Sequence, residues 1–256
     1  MNLLLDSTVA TGYVSASQKA RVMTEHWIAA NLFCPVCGVP VLSRYAANQP
    51  VADFFCDQCR EEFELKAKRT NRPQMEPHKI VNGSYEAVIR RITSLHNPHL
   101  LCMTHHQSMV TNLLFIPKFF FVPEIIEKRK PLASSARRAG WVGCTINLAA
   151  IPATGKVAIV HEGIIQEPSN VIAWYQKIKS FRSDNLESRA WLLDVLCCIE
   201  QLGNEFSLRD VYRFTDYLAG RHPKNHNIQP KIRQQLQILR NKGFLEFMAK
   251  GVYKKL

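Results

Sequence analysis

Two cysteine pairs restrict this chain more tightly than any other feature. Cys34-Pro35-Val36-Cys37 is followed, after eighteen residues, by Cys56-Asp57-Gln58-Cys59. Pairs at this C-x2-C spacing can wrap four thiolates tetrahedrally around Zn2+, and the gap is long enough to bring them together. Gly38 follows the first pair and suits a positive-φ turn in the knuckle. Two disulfides would need an oxidising compartment, and the N-terminus shows no basic, apolar, cleavable leader and no apolar run of membrane-spanning length. The expectation is therefore a closed, structural Zn2+ site on Cys34, Cys37, Cys56 and Cys59 in a cytoplasmic chain. Cys102, Cys144, Cys197 and Cys198 stand in apolar contexts and read as reduced core residues.

The second cysteine pair lies inside another pattern. Asp53 is followed, after ten residues, by Glu64-Leu65-Lys66. On a strand, Glu64 and Lys66 point to one side while Phe63 and Leu65 point into the core, and Asp53 can join the first two. Two carboxylates hold a hard cation such as Mg2+, and a lysine beside them can orient or deprotonate a water and stabilise charge on a phosphate. The pattern is short enough to arise by chance. Its context adds weight, because a metal on Cys56 and Cys59 would clamp the connection that spaces the two carboxylates.

A chain of 256 residues, 46% of them hydrophobic, has room for one large or two smaller domains. Its net charge of +12 points to a polyanion, nucleic acid first, and both parts share the excess: 20 basic against 13 acidic residues up to 180, then 13 against 8. Residues 17–31 predict an N-capped amphipathic helix with Ala20, Met23, Trp27 and Ile28 near one face, from which Glu25 and Gln18 can approach the metal site. Residues 69–82 have no period and contain two prolines, which predicts a basic surface loop. A helix over 84–96 would turn Tyr85, Val88, Ile89 and Ile92 inward and leave Arg90 and Arg91 solvated or near DNA. Residues 100–104 and 110–116 suit core strands, with His105 and His106 at a strand end. The mixed order predicts an α/β domain over residues 1–182.

Residues 128–147 place Arg137, Arg138 and Trp141 in a loop that opens into a strand from Val142. Arginines clamp phosphates or read guanine edges, and a tryptophan offers a flat face to a base; a buried tryptophan beside two solvated arginines fits the spacing as well. From Leu186 the pattern changes to three helices and a hairpin. Trp191, Val195, Ile199 and Leu202 form a stripe on the first, Ser207 caps the second, and Pro230 opens a third that ends at Gly243. Ile232, Leu236 and Leu239 would face the core and leave Lys231, Arg233, Gln234, Gln237 and Arg240 free to meet DNA. Two strands around Lys250-Gly251 complete a winged helix over 183–256, a layout that serves protein docking as well as DNA binding.

Over nearly its whole length the chain resembles the DpnI-type methyl-directed restriction endonucleases, in which a PD-(D/E)xK nuclease domain with a zinc site precedes a winged helix. The resemblance is carried by S-Q-K-A-R-V-M-T-E-H-W, P-V-A-D-F-F-C-D-Q-C-R-E-E-F-E-L-K, R-K-P-L-A-S-S-A-R-R-A-G-W-V-G-C, E-F-S-L-R-D-V-Y-R-F and I-R-Q-Q-L-Q-I-L-R-N-K. It implies a prokaryotic type II site-specific deoxyribonuclease that cuts double-stranded DNA at G-A-T-C carrying N6-methyladenine, with no membrane and no obligatory protein partner. It also implies Asp53 and Glu64 as Mg2+ ligands, Lys66 as the catalytic lysine, the four cysteines as Zn2+ ligands, and Trp141 near the methylated adenine. The chain departs from the superfamily's literal Pro-Asp, since Pro50 is separated from Asp53 by Val51 and Ala52. The 70–83 stretch and the H-P-K-N-H segment also look unlike the family. Two rivals stay open from sequence: a non-enzymatic zinc-ribbon and winged-helix regulator, and a repair nuclease that cuts by DNA structure.

Overall fold

The computed structural model describes residues 1–46, 52–72, 77–94 and 96–256. Pro50, Val51, residues 73–76 of the expected loop and Leu95 of the expected helix lie outside the described residues. Contacts divide the chain into two compact units, one of residues 1–149 with 154–179 and one of residues 150–153 with 180–256. No helix among the described residues is long and apolar enough to cross a membrane.

In the first unit, α1 (Ala16–Asn31) buries Thr24, Glu25, Trp27 and Ile28. The Trp27 indole donates to the Asn2 carbonyl at 2.7 Å, which ties the N-terminal segment to the helix. The expected N-cap does not form, because the helix starts one residue early and Ser15 stands at the cap with no side-chain hydrogen bond. Next come the short strands β1 (Ser43–Arg44) and β2 (Phe54–Phe55), and then β3 (Glu62–Arg69).

The largest departure from expectation follows. Part of the aperiodic 69–82 stretch is a strand, β4 (Lys79–Ser84), running directly into α2 (Tyr85–Thr93). Its partner is β8 (Gly143–Asn147), with Ile80 opposite Ile146. A partner so distant in sequence satisfies the backbone groups that local periodicity cannot account for. β7 (Ile126–Lys128) pairs with the other edge of β8, giving a three-stranded sheet in the order β4-β8-β7. The strand expected from Val142 begins one residue later.

The main sheet has seven strands in the order β1-β2-β3-β5-β6-β9-β10, completed by β5 (His99–His106), β6 (Met109–Ile116), β9 (Val157–His161) and β10 (Ile164–Ile165). β3 runs parallel to β5, with β4 and α2 in the crossover between them, and the other pairings in the sheet are antiparallel. β5 and β6 are buried along nearly their whole length, on the apolar runs 100–103 and 113–116, and Thr104, Thr111 and Asn112 are buried with them. α3 (Pro168–Ile178) follows β10 and buries Val171, Tyr175 and Ile178.

The second unit contains four helices where three were expected. α4 (Leu186–Glu200) is capped by the Asn185 side chain, which accepts from the Ser188 amide at 2.8 Å. The stripe Trp191, Val195 and Ile199 is buried, whereas Leu202 beyond the helix is half-buried. A short strand, β11 (Glu205–Ser207), leads into α5 (Leu208–Tyr212), where Ser207 and Asp210 form a reciprocal capping box. The expected second helix breaks at Arg213 and Phe214 and resumes as α6 (Thr215–Arg221). α7 (Ile228–Asn241) begins two residues before Pro230, which sits in its first turn where a missing N–H costs little. Gly243 takes φ +73° and stops the helix. β12 (Leu245–Ala249) and β13 (Val252–Lys255) form the hairpin around Lys250-Gly251, and β11 adds to it in the order β11-β13-β12.

Candidate active site and metal centre

β2 and β3 are the arms of one hairpin, with Phe54 opposite Phe63 and Phe55 opposite Glu62. Asp53 lies one residue before β2, at a bend outside that register, and its amide donates to the Phe63 carbonyl at 2.9 Å. The hairpin loop between the arms is the second cysteine knuckle, so the metal cluster stands at the tip of the element that carries both carboxylates.

The four cysteine sulfurs lie within 4.8 Å of one another. Cys34 Sγ is 3.6 Å from Cys59 Sγ, and Cys37 Sγ is 3.5 Å from Cys56 Sγ. Tetrahedral Zn–S bonds of about 2.3 Å place sulfurs roughly 3.8 Å apart, so the cluster fits a zinc ion. Burial pushes the Cys34 thiol up and holds Cys59 at about 12, a state that a bound cation would reverse. Cys102, Cys144, Cys197 and Cys198 form no disulfide; the first two and Cys198 are buried, and Cys197 is half-buried.

The two knuckles share one backbone pattern. The Gly38 amide donates to the Cys34 carbonyl at 2.8 Å and the Arg60 amide donates to the Cys56 carbonyl at 2.9 Å. Gly38 has φ +85°, as expected, and Arg60 occupies the equivalent left-handed position with φ +60°. A Cβ on Gly38 would stand 2.9 Å from Ile172 Cδ1. Gly38→Ala is therefore expected to cost about 1–2 kcal/mol, whereas Arg60→Gly should range from no change to a gain of about 1 kcal/mol. Urea denaturation of the zinc-loaded protein measures both, and a comparable loss in the two variants would show that the turns are not equivalent.

The loop is also fastened from below. Glu61 lies 3.2 Å from Nε2 of the buried His99 and accepts a hydrogen bond from Lys118 Nζ. Burial pushes the Glu61 carboxyl up, but the hydrogen bonds and charges of His99 and Lys118 outweigh it and hold the group at about 2.

Asp53, Glu64 and Lys66 line one cleft of about 440 Å3, together with Ala52, residues 82–84 at the end of β4, and Ala87, Val88, Arg90 and Arg91 on α2. Asp53 Oδ2 accepts from the Leu65 amide at 2.7 Å. Burial pushes the Asp53 carboxyl up, while that hydrogen bond and the Lys66 charge pull it down. Lys66 Nζ lies 2.7 Å from Glu64 Oε1. Phe63 is fully buried as expected, but Leu65 is only half-buried.

Two predictions about neighbouring charges need correction. Of the two alternatives for Arg91, solvent is ruled out, since its Nη2 donates to Glu64 Oε2 at 3.2 Å and its side chain is 18% exposed, while a place near DNA stays open. Helical periodicity places it beside the inward stripe but does not reveal a carboxylate across the cleft. Burial, with a smaller contribution from the Asp53 charge, pushes the Glu25 carboxyl up; Glu25 is paired with Arg44 and Arg21 and does not line the cleft. Gln18 is exposed and does not line the cleft.

Trp141 is half-buried, with the Arg138 guanidinium 4.7 Å from its ring centroid; Arg137 and Arg138 are both exposed. The indole packs on Gly143, where a Cβ would meet it at 2.9 Å. Gly143 pairs with Ser84, which lines the cleft, so Trp141 stands one strand away from the carboxylates.

On α7 of the second unit, Ile232, Leu236 and Leu239 are buried, and Arg233, Gln234, Gln237 and Arg240 are exposed. Arg233 donates to the Tyr212 hydroxyl. Lys231 differs from the expectation: it is half-buried, with Nζ 5.9 Å from the centroid of the fully buried Trp191 ring. Periodicity does not account for a second partner of Trp191 either, since the ring stacks on His222 at 3.7 Å, and His222 and Arg221 both pair with the buried Asp194.

Against known protein families, residues 1–184 match the model of the Dam-replacing (DpnI) family and residues 187–255 match that of the Dam-replacing HTH domain. With the α/β unit, its four-cysteine cluster and the helical unit that follows in the same order, the chain belongs to the Dam-replacing family.

Proposed function

We propose that this protein is a Mg2+-dependent endonuclease that hydrolyses double-stranded DNA at adenine-methylated sites, G(m6A)TC. The observation that carries the proposal is the single cleft that Asp53, Glu64 and Lys66 line together, in a chain of this family. Two carboxylates in one open cleft are the hard oxygen donors that Mg2+ requires. A bound Mg2+ supplies Lewis-acid polarisation and charge neutralisation at the phosphate. Asp53 and Glu64 would hold it, and the Leu65 amide fixes the Asp53 carboxylate in place. Lys66 presents Nζ to the attacking water and to charge developing on the phosphate.

Zinc on Cys34, Cys37, Cys56 and Cys59 would act structurally by holding the loop that joins the carboxylate-bearing strands. We assign residues 1–182 to hydrolysis and residues 183–256 to a second DNA contact through Lys231, Arg233, Gln234, Gln237 and Arg240. Arg137, Arg138 and Trp141 serve the methylated base in the first domain. One methyl group offers only about 0.8 kcal/mol of burial, so reading it once in each domain multiplies a weak discrimination. The activity belongs in the cytoplasm of a prokaryotic cell.

Digestion of one plasmid prepared with and without adenine methylation, first with Mg2+ and then with EDTA, tests the proposal. Cutting is expected only of the methylated plasmid with Mg2+. Cutting of both plasmids would indicate a nuclease indifferent to methylation, and cutting of neither would indicate a DNA-binding regulator.

A further inference from the structure

We infer that Arg91 is a further catalytic residue: it neutralises Glu64 while the cleft lacks a divalent cation and binds the non-bridging oxygens of the scissile phosphate once a cation is in place. The inference rests on the nuclease assignment of Asp53, Glu64 and Lys66. It starts from the occupancy of Glu64, whose two oxygens each meet a different cation, Lys66 Nζ at 2.7 Å on Oε1 and Arg91 Nη2 at 3.2 Å on Oε2. A divalent cation that uses Glu64 competes with both of them for its lone pairs.

The two cations are tethered differently. Lys66 is two residues from Glu64 on the same face of β3 and stays beside it wherever the strand goes. Arg91 reaches the carboxylate from α2 on a long, rotatable stem and is the one that can leave. Its side chain is 18% exposed and lines the same cleft, so a released guanidinium remains at the reacting centre. The acceptors it would then meet are phosphate oxygens, which the planar guanidinium fork matches in geometry better than an ammonium does.

Charge also balances along this route. Without metal, Lys66 and Arg91 offset Asp53 and Glu64. With a divalent cation and a phosphodiester present, these four groups leave one positive charge in excess, to which the exposed Arg90 of the same cleft adds. In the hydrolysis step, water oxygen bonds to phosphorus and loses its proton to solvent. The bond from phosphorus to the leaving oxygen breaks with its electron pair, and that oxygen takes up a proton. The doubly negative transition state between these events matches the excess, and Arg91 forms no covalent bond at any stage. Donors placed where charge develops are worth about 10²–10³-fold in rate.

The test uses the full zinc-loaded chain and the variants Arg91→Ala and Arg91→Lys. Mn2+ binding without DNA is followed by calorimetry, and single-turnover cleavage of a methylated duplex is followed at saturating Mg2+. Arg91→Ala is expected to bind Mn2+ roughly 3–10-fold more tightly, because a competitor for Glu64 is gone, and to cleave about 10²–10³-fold more slowly. Arg91→Lys, which keeps the charge without the fork, should cleave at an intermediate rate, and it maintains the test if the alanine variant does not fold. Cleavage within threefold of the parent would overturn the inference. So would slow cleavage with Mn2+ affinity unchanged or weakened, because Arg91 would then only hold Glu64 in position. Asp53→Asn is measured alongside: if it cleaves normally the nuclease assignment fails, and if it is inactive while Arg91→Ala is active only the role of Arg91 fails.

Discussion

Asp53→Asn is expected to lower cleavage of methylated DNA by roughly 10³-fold or more while binding of the same duplex in EDTA changes only a few-fold. The substitution separates charge from shape. Asparagine preserves the size of the side chain and retains an oxygen to accept the Leu65 amide, the hydrogen bond that Asp53 Oδ2 makes at 2.7 Å, so the β2–β3 hairpin should keep its register. It loses the negative charge needed to hold a divalent cation. Lys66→Ala should give a comparable loss of rate for another reason: the metal ligands remain, but the ammonium beside the scissile phosphate is gone. Gel-shift titration and single-turnover cleavage of one labelled duplex measure both quantities. Full cleavage by either variant would sink the assignment of these residues. Loss of binding in step with cleavage would mean that the hairpin, not the chemistry, had been damaged.

Removal of the metal from the cysteine cluster is the second large effect. Protein stripped with a strong chelator, or carrying Cys59→Ala, is expected to melt at a markedly lower temperature and to show no cleavage when only Mg2+ is restored. Structural zinc sites contribute about 10–16 kcal/mol of apparent binding free energy in small zinc modules. A unit of this size has a core of its own, so a loss of several kcal/mol is the expectation here. The reason for the functional loss is local. Cys56 and Cys59 lie in the loop whose two arms carry Asp53 and Glu64, and without the metal the register between the arms depends on a two-residue pairing, Phe54 with Phe63 and Phe55 with Glu62. Metal content by atomic absorption should give one zinc per chain, and Zn2+ added back to the stripped protein should restore melting and cleavage together. A Cys59→Ala variant with parental melting temperature and cleavage would remove the cluster from the account.

Much of this was legible because the information is local. C-x2-C spacing shows which sulfurs can share a metal, whatever the surrounding fold. The apolar stripe Ile232, Leu236 and Leu239 identifies the buried face of α7 from helical geometry alone, and Ser207 announces its capping box through Asp210 three residues on. The misplaced features are those with distant causes. β4 looks like a loop because its strand character is supplied by β8 more than sixty residues later, with Val81 opposite Thr145 and Asn82 opposite Cys144. Lys231 looks free because nothing near it in sequence announces the Trp191 ring beneath it.

The sequence by itself determined the donors, namely four thiols, two carboxylates and a lysine, together with the loop length that links them, since side-chain chemistry and spacing are properties of the chain. Only the tertiary structure decided what those donors face. Folding brought Asp53, at the bend before β2, into one cleft with Glu64, and the β4–α2 crossover brought Arg91 to the second oxygen of that same glutamate. Register and ion pairing depend on which distant segments share a surface, and periodicity, which records only how one segment divides between core and solvent, does not encode that.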